Sequence, residues 1–102
     1  MMDIYEVMQY AYKRFKVPKS NLSKAHSVKR ACELFAIEEV FEECLNNPFQ
    51  DYIEIMEDYA FSKELEAGSN DISTSARIRL RYFAKAINIL IDYAKTGGKR
   101  WV

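Results

Sequence analysis

Glycine and proline are scarce in this chain, three and two in 102 residues. An all-β sandwich or barrel carries a turn roughly every 8–12 residues, and each turn draws on those two residue types. Their scarcity excludes such a fold and favours a few long helices joined by short loops. Histidine occurs once, as His26. Helical carboxylate metal centres are built from Glu-x-x-His pairs projecting inward, and His26 stands in no such pair. A hydrolytic triad would have to be built on that one imidazole, and nothing around it in sequence supports that. The glycine-rich phosphate and dinucleotide runs and the GxSxG elbow are missing too. Thr96-Gly97-Gly98-Lys99 has the flavour of a phosphate loop but lacks the following helix and hydroxyl residue. No catalytic residue, metal ligand or cofactor is therefore expected, and the chain is read as a non-enzyme.

Cysteine is nearly absent as well. Cys32 and Cys44 fall within one helical stretch, where about 1.5 Å of rise per residue holds them about 18 Å apart, too far to bridge. They are expected to be reduced, buried, small apolar groups. No apolar run approaches the roughly 20 residues of a bilayer span, and Met1–Phe15 has no cleavable apolar core. The expectation is a soluble, unexported, cytoplasmic chain with no membrane partner.

What is abundant is apolar surface, 49% of residues. That is enough for one core and, at this length, for one domain over 1–102. The patterning predicts an all-α bundle of four helices, over roughly 4–16, 24–46, 48–66 and 74–95, with a basic tail at 96–102. Asp3 and Glu6 form an acidic capping box ahead of Ile4, Val7, Met8, Ala11 and Phe15. Val17-Pro18-Lys19-Ser20-Asn21 makes the first corner, and Ser23 or Ser27 can cap the next helix. In the second helix, Val28, Ala31, Cys32 and Phe35 share one face, while Leu34, Ile37, Phe41, Cys44 and Leu45 share another, rotated by well over 90°. Such a helix is bent or split near Ala36, or buried on two sides. Asn47 and Pro48 read as cap and first residue of the third helix, with Phe49, Tyr52, Ile53, Met56, Tyr59 and Ala60 inward.

The stretch Ala76-Arg77-Ile78-Arg79-Leu80-Arg81 alternates like a strand. No other segment offers a partner strand, and the serines and threonine before it are helix caps, so a helix is expected. One stripe runs through Ala76, Leu80, Phe83, Ile87, Leu90 and Ala94, and a second through Ile78, Tyr82, Ile89 and Tyr93. The second stripe must be covered by the second helix or buried in a homodimer, and the dimer is the preferred expectation. Thr96-Gly97-Gly98 ends the helix.

Charge is segregated beneath a net charge of zero. Residues 1–32 carry seven Lys/Arg against two Asp/Glu, 33–71 one against twelve, and 72–102 seven against one. In an up-down-up-down bundle these blocks resolve into a basic and an acidic pole. Glu38, Glu39, Glu42 and Glu43 repel as i, i+4 pairs and form a candidate face for a cationic protein. Lys29, Arg30, Arg77, Arg79 and Arg81 are the candidate anion- or partner-binding residues of the basic pole. Arg77 and Arg81 are expected to pair with Glu64 or Glu66, and Arg79 to be partly buried and paired, or to face a partner. Phe15, Phe35, Tyr52 and Phe83 are expected in the core. Tyr5, Tyr12 and Trp101, with Tyr10 and Phe61, fall off the stripes and are candidate contacts for another molecule.

These features predict a binding or regulatory module that acts through a protein partner. Small helical, charge-blocked proteins without catalytic motifs are common among the phage and mobile-element inhibitors of host enzymes, and an inhibitor of that style is the expected form. The alternative is a nucleic-acid binder working through the basic pole. That pole is diluted by acids and lacks a stacking platform, so the protein partner is preferred.

Overall fold

A computed structural model describes residues 2–15 and 24–98. It contains four helices, α1 (Ile4–Phe15), α2 (Lys24–Asn46), α3 (Tyr52–Ala67) and α4 (Thr74–Lys95), with no strand among the described residues. The all-α expectation holds. The corner at Val17–Asn21, the Ser23 cap, the His26 side chain and the tail with Trp101 lie outside the described residues and side chains.

Local chemistry sets most boundaries. The Glu6 amide donates to Asp3 Oδ1 at 3.0 Å, which opens α1 as its capping box predicts. Ser73 Oγ accepts from the Ala76 amide at 3.1 Å, and the alternating arginines that follow are helical. At the far end of α4, the Gly97 amide donates to Ala94 O and the Gly98 amide to Tyr93 O, a Schellman closure. Both glycines have positive φ, 62° and 79°, where a side chain would be strained.

Two expectations are corrected. The third helix starts at Tyr52, not Pro48: Asp51 is the cap, its Oδ1 accepting from the Ile53 amide at 3.0 Å. Asn47 instead turns back, its amide donating to Glu43 O at 2.8 Å to close α2, and Phe49 stands fully exposed on the turn between them. The second helix is continuous through Ala36 and is not split. Its buried residues are Cys32, Glu33, Ala36, Ile37, Val40, Phe41 and Cys44, a single broad face lying between the two proposed from the sequence. Val28, Phe35 and Leu45 are left exposed on the other side. Phe35 is therefore not a core residue.

The helices alternate in direction. Along α3 and α4, Glu57 meets Lys95, Glu64 meets Asn88, and Ala67 meets Arg77. The start of α1 lies by the start of α3, where the Tyr52 hydroxyl donates to Met2 O. The end of α1 lies by the first half of α2, where Arg30 Nη1 donates to Phe15 O at 2.8 Å. Phe41, Ile37, Met56, Ile87 and Leu90 are the largest fully buried side chains. Each such burial is worth about 1.5–3 kcal/mol, and α2, α3 and α4 all contribute.

The second stripe of α4 is partly covered from within the chain. Tyr93 stacks on Tyr10 of α1, and Ile89 packs against the core, so α1 supplies part of the cover. Only Ile78, at the other end of the stripe, is exposed. The premise of the homodimer expectation is thus met in part by α1.

Candidate functional site

The outer face of α2 carries a dense run of charge of one sign. Glu38, Glu39, Glu42 and Glu43 are all exposed. Phe35, Glu38, Glu42 and Leu45 follow at i, i+3, i+7 and i+10, within one third of the helix circumference. Phe35 is 55% exposed and Leu45 46%. The carboxylates therefore stand between two apolar side chains.

Glu39 and Glu43 lie on the flank turned towards α3. Their charges, with that of Glu66, reach the Tyr59 hydroxyl of α3; burial first, and then Glu39, raise its pKa well above the ordinary phenol value. That hydroxyl is buried with no acceptor in full hydrogen-bonding geometry, although the Glu39 carboxylate stands close enough to favour its protonated form. Lys63 bridges this seam, its ammonium 5.1 Å from the Tyr59 ring centroid, 5.8 Å from that of Phe83 and 3.9 Å from Glu66 Oε2. Phe83 in turn lies 5.5 Å from Phe35. A shallow groove of about 350 Å³ continues from there, lined by Val28, Ala31, Cys32, Phe35 and Phe83 with Arg79 at its rim. Acidic ridge, exposed phenyl ring and apolar groove form one connected surface.

The basic candidates do not gather in one place. Arg77 donates from Nε to Ala67 O and from Nη2 to Ser69 O, both at 2.9 Å, and so closes the end of α3. It does not pair with Glu64 or Glu66, which engage Asn88 and Lys63. Arg79 is exposed rather than partly buried, and among the described residues it has no ion-pair partner. Arg81 is exposed on the same helix. Lys29 and Arg30 lie elsewhere, in a cleft with Arg14 and with Lys85, a residue that sequence reasoning did not select. No spacing could have found that cleft, because its cations come from three helices.

Of the aromatic candidates, Tyr5 is 63% exposed. Tyr12 is half-buried, edge-on to Phe41 at 6.1 Å, and Tyr10 is half-buried on Tyr93. Phe61 is exposed on α3. Trp101 lies outside the described residues.

Burial raises the thiol pKa of Cys32, and raises that of Cys44 to about 11, with Glu43 adding to the latter. Neither thiol is a ready nucleophile. No group of three His, Cys, Asp or Glu among the described residues could hold a metal ion, and no helix among them is long and apolar enough to cross a membrane. Compared with family models, curated proteins and solved structures, the chain matches none.

Proposed function

We propose that this chain is a non-catalytic binding module whose α2 surface receives a basic protein, and that it acts by occupying that protein's cationic groove. The observation that carries this reading is the set of four exposed carboxylates on two consecutive turns beside the exposed Phe35 ring. Within a helix such like-charge pairs each cost a few tenths of a kcal/mol. Glu39, Glu42 and Glu43 have no ion-pair partner among the described residues to offset that cost. A cationic partner would supply the missing counter-charge. Phe35 and the groove beside it would provide the desolvated anchor that carries affinity, while the carboxylates would set the rate of encounter and its salt dependence.

This mode of action asks for no chemistry from the module itself, which suits an inhibitor of the phage or mobile-element style. The nucleic-acid reading draws less support. Arg77 and Arg30 are engaged in closing α3 and α1, and the basic candidates are divided between the start of α4 and the cleft between α1, α2 and α4.

The test is recovery of the tagged protein from its native cell, with its partners identified by mass spectrometry. A basic protein should be recovered with the wild type, and lost both with Phe35→Ala and with glutamine at 38, 39, 42 and 43. Recovery of the same partner by the glutamine variant would refute the reading, as would tight, salt-sensitive binding of the wild type to DNA or RNA.

A further inference from the structure

We propose that the cleft between the last turn of α1, the first half of α2 and the middle of α4 is a binding site for a small polyphosphate. The cleft holds about 360 Å³ and is lined by four cations, Arg14, Lys29, Arg30 and Lys85, against the single carboxylate of Glu33. Such a volume lies at the lower end of the range of small-ligand sites. Phe15 and Ile89 supply its apolar wall.

Two of the cations are held in place before any ligand arrives. The guanidinium carbons of Arg14 and Arg30 both lie 5.6 Å from the Phe15 ring centroid, so two like charges share one aromatic ring. Arg14 is fixed by a 2.8 Å bond to the Tyr10 hydroxyl, and Arg30 by its bonds to Phe15 O and, at 3.4 Å, Arg14 O. The Nε of Arg30 is buried and donates no hydrogen bond, its nearest partner being Glu33 Oε1 at 3.8 Å. Lys29 and Lys85 complete the ring from α2 and α4, and neither has an ion-pair partner among the described residues.

Of the four cations, Lys29 and Lys85 have no ion-pair partner among the described residues, and both line a concave, partly apolar space. A single carboxylate ligand would balance only one of them. A run of two or three phosphates carries the matching charge and offers oxygens to both guanidinium and ammonium donors. The shared chemistry is the phosphate chain, whether free or borne on a nucleoside, and the Phe15–Ile89 wall gives an attached group something to pack against. The site is separate from the acidic face of α2, so neither assignment rests on the other.

Calorimetric titration of the full chain with inorganic pyrophosphate, at near-physiological salt, tests the assignment. Saturable one-site binding is expected, weakened about tenfold by Lys85→Gln and by Lys29→Gln. Neither substitution removes an intramolecular bond, so both variants should melt as the wild type does. Lys63→Gln and Arg81→Gln, outside the cleft, should leave binding unchanged. A parallel titration with ADP separates the two sources: tighter binding than pyrophosphate assigns a nucleotide, equal or weaker binding a free polyphosphate. Absence of saturation overturns the proposal. Equal weakening by Lys63→Gln does so too, because the attraction would then be diffuse. Tighter, Lys85-dependent binding of a single-stranded oligonucleotide would also overturn it and assign the cations to a nucleic-acid backbone.

Discussion

Tyr10 and Tyr93 lie face to face, with ring centroids 3.7 Å apart and planes 7° from parallel. This pair, with the bonds from Arg30, fastens α1 to the rest of the chain. A stacked aromatic pair contributes about 0.5–1.5 kcal/mol beyond the area it buries. A double-mutant cycle with Tyr10→Ala and Tyr93→Ala, read by urea denaturation, should return a coupling energy in that range. A coupling near zero would show that the two rings act independently.

Gly98 backs this pair. A Cβ placed there would come within 3.1 Å of the Tyr93 ring, at a φ of 79° that other residues rarely adopt. Gly98→Ala should lower stability by about 1–2 kcal/mol, whereas Gly97→Ala, with open space around it, should show only the backbone part of that loss. Equal losses at both positions would remove the ring from the explanation.

Arg77 is expected to matter for stability more than its neighbours. Its two bonds to the carbonyls of Ala67 and Ser69 are charge-assisted, and Arg77→Gln should cost about 1.5–3 kcal/mol in a urea melt. Arg81→Gln should stay within about 0.5 kcal/mol. The reverse ranking would refute the clamp.

The sequence announced this helix but not this arginine's task. The charge pattern suggested pairing with Glu64 or Glu66, whereas the orphan carbonyls at the end of α3 lie closer to hand. A side chain's nearest acceptor in space has no signature in a list of charges. Capping chemistry was legible where it had no rival, as at Asp3 and Gly97-Gly98, and was narrowed to the serines and threonine ahead of α4. Between α2 and α3 the sequence pointed to Asn47 and Pro48, whereas the helix opens at the Asp51 cap and leaves Phe49 outside. Phe35 was misread for a related reason. Apolar periodicity counted it as core, but α3 and α4 pack on one side of α2 and leave that ring in water.

The buried hydroxyl of Tyr59 makes a prediction of unusual sign. With no acceptor in full hydrogen-bonding geometry, it bears a desolvation cost that a phenyl ring would not. Tyr59→Phe should leave stability unchanged or raise it by up to about 1 kcal/mol. A loss of about 1 kcal/mol in chemical denaturation would show instead that the hydroxyl is bonded in solution.

Stability should also fall in alkali. The folded-state pKa of Cys44 is raised from 9.0 to about 11, so the unfolded chain releases this proton first as pH rises. The stabilisation from this group is complete below about pH 9 and is lost as pH climbs towards 11; Cys32 and Tyr59, raised likewise, act in the same direction. Urea midpoints measured from pH 7 to 11 should be level at first and then decline, with a shallower decline in Cys44→Ala. In the native state at pH 8, both thiols should react with a thiol reagent far more slowly than after unfolding. Rapid native labelling of either would contradict its burial.

The uneven attachment of the helices has a kinetic side. α3 and α4 are neighbours in sequence, joined by a short capped turn and laced together by Arg77, Asn88 and Lys95 along their length. Contacts between adjacent segments incur little loop-closure entropy, so this hairpin is the natural nucleus on which α2 condenses. α1 packs Val7, Ala11 and Phe15 into the core, but it is the shortest helix and its bonds to the others lie near its ends, so it should be the last helix to dock and the first to leave. Its amides should exchange with solvent deuterons through partial openings that leave the α3–α4 amides protected. Because Arg14 and Phe15 ride on α1, each such opening would also dismantle the cationic cleft and rebuild it on closing.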